Sequence, residues 1–135
     1  MFTREQLEGI LIAIARPQIA IAQNVRHSTG YKIKLSVEIR AMNREFLVLL
    51  QESLKEFGIA SYWKEIEKKS RPYPVLRITN ADNLINLFQL IPNSVPQHCD
   101  NFDSFLEAVT LFSNKHHLTQ KGLNRMLEIK GLLWV

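Results

Sequence analysis

The sequence predicts a single α+β domain over residues 1–135, with a four-stranded antiparallel sheet that carries helices on one face and leaves the other face open. Three observations predict it. Residues 30–40, GYKIKLSVEIR, alternate apolar and polar side chains, as a half-buried strand does. Residues 43–58 repeat apolar side chains at helical spacing. A chain of 135 residues is long enough for one hydrophobic core.

The first predicted helix starts at about residue 4. Thr3 and Gln6 have the spacing of a capping box, in which each side chain bonds the other residue's backbone N–H. The helix must end before Pro17, because proline lacks the N–H and clashes with the preceding turn. Residues 18–24 then alternate with a period of two, which predicts the first strand.

The second predicted strand, 30–40, follows a hairpin loop, NVRHSTG. Its alternation predicts a core-facing set of Ile33, Leu35, Val37 and Ile39. The helix 43–58 that follows ends at Gly58, a residue suited to a left-handed helix terminus. Its apolar stripe consists of Phe46, Leu47, Leu50, Leu54 and Phe57.

The remainder of the chain predicts a second hairpin and then helices. Strands are expected at 59–67 and 74–79, separated by the turn-forming segment KKSRPYP. Helices are expected at 80–91 and 101–113, the second burying Phe105 and Leu106 among others, and a last helix starts at Thr119. The predicted order is αββαββα followed by two further helices.

The composition excludes several classes of protein. No apolar run is long enough to span a bilayer, so no membrane is expected as a partner, and the start of the chain does not resemble a secretory signal. The expected location is the cytoplasm, as in a prokaryotic nucleoid-associated protein, or an organelle. The one cysteine, Cys99, excludes an intramolecular disulfide and is interpreted as an inert thiol of unassigned redox role.

The net charge of +4 is concentrated in two segments, between residues 16 and 40 and between residues 64 and 77. Alternation places many of these cations on the open face of the sheet, among neutral polar side chains. A solvated sheet would account for this pattern, but lysine and arginine also neutralise phosphates, and neutral polar groups contact base edges. The candidate nucleic-acid-binding residues are Arg16, Gln18, Asn24, Arg26, Lys32, Lys34, Ser36, Glu38, Arg40, Lys64, Lys68, Arg71 and Arg77.

Two stretches resemble a known family. Residues 7–15, LEGILIAIA, resemble the LAGLIDADG motif that names a family of homing endonucleases, with three of nine letters matching. Residues 117–133, HLTQKGLNRMLEIKGLL, are similar to the tail found in many members. Together with the order of elements, the resemblance covers nearly the whole chain and implies the homing-endonuclease-like fold.

The resemblance implies a homodimer on double-stranded DNA. In that family the motif helices of two domains pack together and the two sheets form a saddle over the major groove. A chain with one motif must obtain its second domain from another copy, and small residues on the helix permit close approach. The expected dimer interface is Leu7, Gly9, Ile10 and Ala13.

The resemblance also indicates which residues would carry chemistry. In the family, the acid at the eighth motif position holds a divalent metal, but here that position is Ile14, and the acidic sixth position is Ile12. Glu8 is no obvious replacement. We therefore expect no catalytic residue, metal or cofactor, and a DNA-binding protein that is not an enzyme. Ala20 and Ala22 on the open face predict low sequence specificity, because alanine offers no hydrogen bond.

The sequence leaves several alternatives open. Some members of the family assist intron splicing by binding RNA, and a residual metal-dependent endonuclease could act through Glu8. A role in protein interaction is a further possibility. Trp63 could stack on a base or pack inside the fold. Charge reversal at Lys32, Lys34 and Arg40 is expected to abolish binding and leave the fold intact.

Overall fold

The structure, a computed structural model, describes residues 1–26, 29–90 and 100–132, with the backbone alone described for residues 100–103 and 132. The prediction about Cys99 and the end of the predicted helix 80–91 lie outside the described residues. In the described part, one continuous hydrophobic core joins the helices to the sheet.

The sheet has four antiparallel strands in the order β1-β2-β4-β3. β1 and β2 are paired along their whole length, whereas β4 pairs with only the last four residues of β2. The strands are β1 Ala15–Gln23, β2 Tyr31–Arg40, β3 Tyr62–Lys64 and β4 Val75–Ile78.

In the described part of the chain, four helices contact one face of this sheet and a fifth packs against the fourth. The side chains of β2 that face them, Ile33, Leu35, Val37 and Ile39, are between 0 and 6% exposed, as the alternation predicts. The α+β architecture with helices on one face is therefore confirmed. The helices are α1 Arg4–Ile14, α2 Arg44–Glu56, α3 Ala81–Gln89, α4 Asp100–Ser113 and α5 Gln120–Leu132.

α1 begins as predicted and passes directly into β1. Thr3 and Gln6 form the capping box, each bonding the other's backbone N–H. The strand starts at Ala15, earlier than the predicted residue 18, so that Pro17 lies inside it. β1 is an edge strand, and a proline there costs no ladder bond when its nitrogen faces away from the neighbouring strand.

β3 is much shorter than the predicted strand 59–67. Just before it, the backbone N–H of Ala60 donates to the side chain of Asn83, and the carbonyl of Ser61 accepts from the side chain of Gln51. These backbone groups are satisfied by helix side chains rather than by a neighbouring strand. The alternation of this segment therefore predicts more strand than forms.

Two predicted core residues of the helices are exposed. Phe57 is 37% exposed and Leu106 is 38% exposed, so their expected burial was wrong. Phe57 lies at the end of α2, where Gly58 adopts the expected left-handed conformation with φ +76° and turns the chain back to the sheet.

The last two helices are joined by side-chain and backbone contacts. Arg125 of α5 donates from Nε and Nη2 to the carboxylate of Glu107 in α4. Gly122 lies so close to the turn before α5 that a Cβ there would lie 1.8 Å from the carbonyl oxygen of His116. This close approach lets α5 start immediately after the turn.

Among the described residues, no helix has the length and apolarity to cross a membrane.

Candidate nucleic-acid interface

The side of the sheet that faces away from the helices, here called the outward face, has its residues fixed by the strand register. Alternation along β1 and β2 brings the predicted polar residues to this side in directly opposed pairs. The β1–β2 pairs on the outward face are Arg16 with Glu38, Gln18 with Ser36, Ala20 with Lys34, and Ala22 with Lys32.

The end of the β1–β2 hairpin that is next to its loop presents free cations. Lys32 and Lys34 are exposed, and their cross-strand partners, Ala22 and Ala20, are too short to cover them. Neither lysine forms an ion pair with another residue in the described part of the chain. Both ammonium groups are therefore available to a ligand.

The opposite end of the outward face lies beside the C-terminal end of α1 and holds an ion-pair network around Glu67. Arg40 donates from Nε and Nη2 to the two carboxylate oxygens of Glu67, both at 2.8 Å. Arg71 donates from Nη1 to Glu67 Oε1 at 3.3 Å and to the carbonyl of Pro74 at 3.3 Å. The Glu67 side chain is only 3% exposed, so the carboxylate is enclosed by its two arginines.

Burial raises the pKa of the Glu67 carboxyl, because it penalises the charged form. The hydrogen bonds and charge of Arg40, with the charges of Arg71 and Lys68, outweigh burial and hold the pKa below its ordinary value. Glu67 is therefore ionised at neutral pH.

A second acid links β2 to β4. Glu38 lies 3.3 Å from Nε of Arg77 and 3.6 Å from Nη2 of Arg40, each measured to a carboxylate oxygen. Three predicted DNA-binding arginines, Arg40, Arg71 and Arg77, thus share two acids, which leaves a net positive charge. Charge reversal at Arg40 would add a carboxylate beside Glu38 and Glu67 in a partly buried network, so the structure predicts that this reversal destabilises the fold.

The register also settles the orientation of β3. Tyr62 and Lys64 pair with Arg77 and Val75 and face outward, whereas Trp63 pairs with the buried Leu76 and faces the helices. Trp63 packs against the core, which favours the packing interpretation over base stacking. Sequence analysis did not identify Tyr62, which is 46% exposed on the outward face. Its shared parity with Lys64 is the signal that could have found it.

Other predicted binding residues lie outside the strands. Arg26 is exposed in the β1–β2 loop, where its backbone N–H donates to the side chain of Asn24 at 3.0 Å. Lys68 is exposed in the turn between β3 and β4, which is closed by two backbone hydrogen bonds with Arg71. These residues surround the outward face and do not form one cluster.

α1 presents small residues at its surface. Gly9 and Ala13 are exposed, and a Cβ at Gly9 would meet nothing within 4 Å. Ile10 is half-buried. Leu7, also expected at the dimer interface, is fully buried in the chain's own core, so that expectation was wrong for this residue. The apolar repeat of the sequence places Leu7 on an apolar side of α1 but does not tell whether that side faces the chain's own core or a second copy.

A cavity of about 320 Å³ opens at the C-terminal end of α1. It is lined by Ala13, Ile14, Arg16, Arg40 and Arg71, and is called the arginine cavity below. Magnesium and calcium require carboxylate or carbonyl oxygens, and guanidinium groups repel a cation. These lining residues therefore do not fit a divalent metal. No cluster of His, Cys, Asp and Glu elsewhere among the described residues has the grouping of a metal site.

Sequence comparison identifies the family. Residues 24–92, just over half of the chain, match the LAGLIDADG-like domain. Two Neurospora crassa proteins are similar: "Probable intron-encoded endonuclease 2", 30% identical over 78% of this chain, and "Probable intron-encoded endonuclease 3", 29% identical over 84%. The matches span only 23% and 21% of those proteins' own lengths.

Solved structures share the fold. The LAGLIDADG meganuclease I-CpaMI, bound to uncleaved DNA, is 28% identical with a TM-score of 0.77, over 96% of this chain and 45% of that one. The homing endonuclease I-TnaI is 21% identical with a TM-score of 0.78, over 96% of this chain and 86% of that one. The predicted homing-endonuclease-like fold is therefore confirmed.

The comparisons also correct one expectation. Ile12 and Ile14, at the acidic positions of the motif, predicted a protein that is not an enzyme. The relatives and the structural neighbours are named endonucleases, so they point to a family of enzymes and that prediction was wrong. Because the match covers just over half of the chain and a solved structure 28% identical to it shares the fold, the chain belongs to the LAGLIDADG-like domain family.

Proposed function

We propose that this chain binds double-stranded DNA through the outward face of its sheet. The observation that carries the proposal is the pair of unpartnered lysines, Lys32 and Lys34, which project from a two-stranded ribbon beyond β4. A two-stranded ribbon fits the DNA major groove, and lysines that release counterions from phosphates supply most of the non-specific affinity. The DNA-bound meganuclease of the same fold supports this partner.

The sequence specificity of the proposed binding is low. Ala20 and Ala22 lie on the outward face opposite the lysines, and their side chains offer no donor or acceptor to base edges. Gln18 and Ser36 are the neutral hydrogen-bonding groups paired on this face. Binding is therefore expected to depend more on phosphate contacts than on base contacts.

The proposed assembly is a homodimer joined through α1. The exposed Gly9 and Ala13 lie four residues apart on one side of the helix, and open space around Gly9 lets a second backbone approach. A two-fold arrangement would place the two outward faces side by side over one DNA duplex.

A titration tests DNA binding. Purified protein is titrated with several duplexes and with a structured RNA, in a series from about 50 to 200 mM salt. We expect similar affinities for unrelated duplexes and a steep loss of affinity with salt. Absence of duplex binding at the lowest salt would contradict the proposal, and a clear preference for the RNA would favour the splicing-cofactor alternative.

Sedimentation tests the dimer. Gly9→Leu fills the open space on α1 with a branched side chain and is expected to convert the dimer to a monomer. Gly131→Leu, in α5, also lies where nothing is within 4 Å and serves as the matched control. A wild-type protein that sediments as a monomer at all concentrations would contradict the assembly.

DNA cleavage is a second candidate function, favoured by the names of the two Neurospora crassa relatives. Its test is incubation of supercoiled plasmid with the protein, with and without magnesium or manganese. Glu8, whose carboxylate pairs with Arg4 at 3.3 Å on α1, supplies the Glu8→Gln comparison. Linear plasmid that forms with the wild-type protein and not with Glu8→Gln would support cleavage.

A further inference from the structure

The arginine cavity combines three cations with one positioning acid. Arg16 is exposed and forms no ion pair with any described residue. Arg40 and Arg71 are held by Glu67, whose carboxylate is almost fully buried and is not among the residues that line the cavity. Glu38 lies 3.6 Å from Arg40 Nη2, so three guanidinium groups stand against two acids, neither of which lines the cavity, and the charge of the cavity is net positive.

The hydrogen-bond geometry leaves donors for a ligand. A guanidinium carries five N–H donors. Arg40 uses Nε and Nη2 on Glu67, which leaves Nη1 without a partner in the described part of the chain. Arg71 uses only Nη1, on Glu67 and on backbone carbonyls, so that Nε and Nη2 are without partners there. Two guanidinium groups are thus fixed in orientation and still have free N–H groups.

The apolar side of the cavity supports the same assignment. Ala13 and Ile14 form the wall on the α1 side and contribute no carboxylate that would repel an anion. Charge-assisted hydrogen bonds from several guanidinium groups are the usual means of binding a phosphate. The chemistry of the lining residues is that of an oxyanion site.

We propose that the arginine cavity binds a phosphate group of a nucleic acid, and that Glu67 is the positioning residue for two of its three arginines. The source of the phosphate rests on the proposed DNA binding, whereas the oxyanion site itself does not. The cavity then fixes the position of one backbone phosphate beside the end of α1.

Two effects of Glu67 have opposite signs, which makes the proposal testable. If Glu67 acted only through its charge, Glu67→Gln would raise the net charge by one and strengthen binding of an anion. If Glu67 positions Arg40 and Arg71, the substitution weakens binding, because the guanidinium groups lose their fixed orientation and ordering them again costs entropy.

The experiment follows the arginine Nε–H signals by NMR during titration with inorganic phosphate, and in a second arm with duplex DNA. We expect saturable shifts of the Arg16 and Arg71 signals in both arms. Arg16→Gln and Glu67→Gln should each weaken phosphate binding about tenfold, the effect of losing one charge-assisted hydrogen bond. Lys121→Gln, at an exposed position of α5, lowers the net charge by one as Arg16→Gln does and should leave binding unchanged.

The outcomes separate this inference from the proposed function. Tighter phosphate binding by Glu67→Gln would overturn the positioning role. Shifts with phosphate but not with a duplex that binds would overturn the assignment to nucleic acid. Duplex binding by wild type with no phosphate shifts, and with Arg16→Gln unaffected, would overturn the site while the proposed function stands. Arg16→Gln keeps the test valid even if Glu67→Gln fails to fold, because Arg16 is exposed.

Discussion

Arg40 donates a hydrogen bond of 2.8 Å to each carboxylate oxygen of Glu67. This pair connects the end of β2 to the segment between β3 and β4. Bidentate geometry of this kind fixes the orientation of both groups. Because β3 is short, this ion pair adds a side-chain link in a region where strand pairing is limited. Arg40 therefore stabilises the fold as well as contributing to the charged outward face.

Neutralising Arg40 should destabilise the protein. Arg40→Gln is expected to lower the free energy of unfolding by roughly 2 kcal/mol, somewhat less than is usual for breaking a buried pair, because Arg71 still bonds Glu67. Urea denaturation measures the loss. The control is Arg26→Gln, at an exposed loop residue, which should change stability by less than about 0.5 kcal/mol. Equal effects of the two substitutions would contradict the stabilising role of Arg40.

The contribution of Glu67 should depend on pH. Its pKa is lowered in the folded protein, so its stabilisation is fully present above the unfolded value of 4.5 and is lost as pH falls through the folded pKa. The stability difference between wild type and Glu67→Gln should therefore be constant near neutral pH and shrink below about pH 4.5. Denaturation curves at several pH values measure it. A difference that grows on acidification would show that the sign is wrong.

Gly122→Ala should be strongly destabilising. A Cβ at this position would lie 1.8 Å from a backbone carbonyl oxygen, which cannot move without shifting the turn before α5. We expect a loss of about 3 kcal/mol, at the upper end for overpacking. In Gly131→Ala, on the same helix, the added Cβ meets nothing within 4 Å, and the variant should be neutral or up to about 1 kcal/mol more stable. Thermal melting compares the two.

Neutralising the free lysines should weaken DNA binding without affecting the fold. For the double variant Lys32→Gln/Lys34→Gln, we expect the slope of log K against log salt to become shallower by about 2 per protomer. Each lysine–phosphate contact contributes about 0.9 to that slope. Lys55→Gln/Lys121→Gln removes the same charge from the helices and is the control. An unchanged salt slope in the first variant would place the DNA on another surface.

Much of the fold follows from local patterns in the sequence. The alternation of residues 30–40 and the capping box at Thr3 specify their elements almost completely, because each depends on residues close in the chain. Phe57 and Leu106 show the limit of this reasoning. Helical spacing places a residue on an apolar stripe, but the position of the neighbouring elements decides whether it is covered.

The candidate site was predicted less completely. Sequence analysis identified the arginines of the outward face but treated them as equivalent free cations. Glu67 could not be assigned, because its contact with Arg40 joins residues 27 positions apart and depends on the β2–β4 register and the turn that follows β3. The role of Glu67 in the network therefore became visible only in three dimensions.

The pairing of β2 with β4 ends at Val37. From there to the loop, the β1–β2 hairpin is a ribbon of two strands only. Such ribbons twist more readily than wider sheets. The part of the surface that bears Lys32 and Lys34 can thus adapt to the curvature of a groove, whereas Arg40 and Arg71 are held by hydrogen bonds to Glu67. For protein engineering, this separation means that the outward side chains of the ribbon could be changed to recognise a chosen sequence, while Ile33 and Leu35 on its other side are kept in the core.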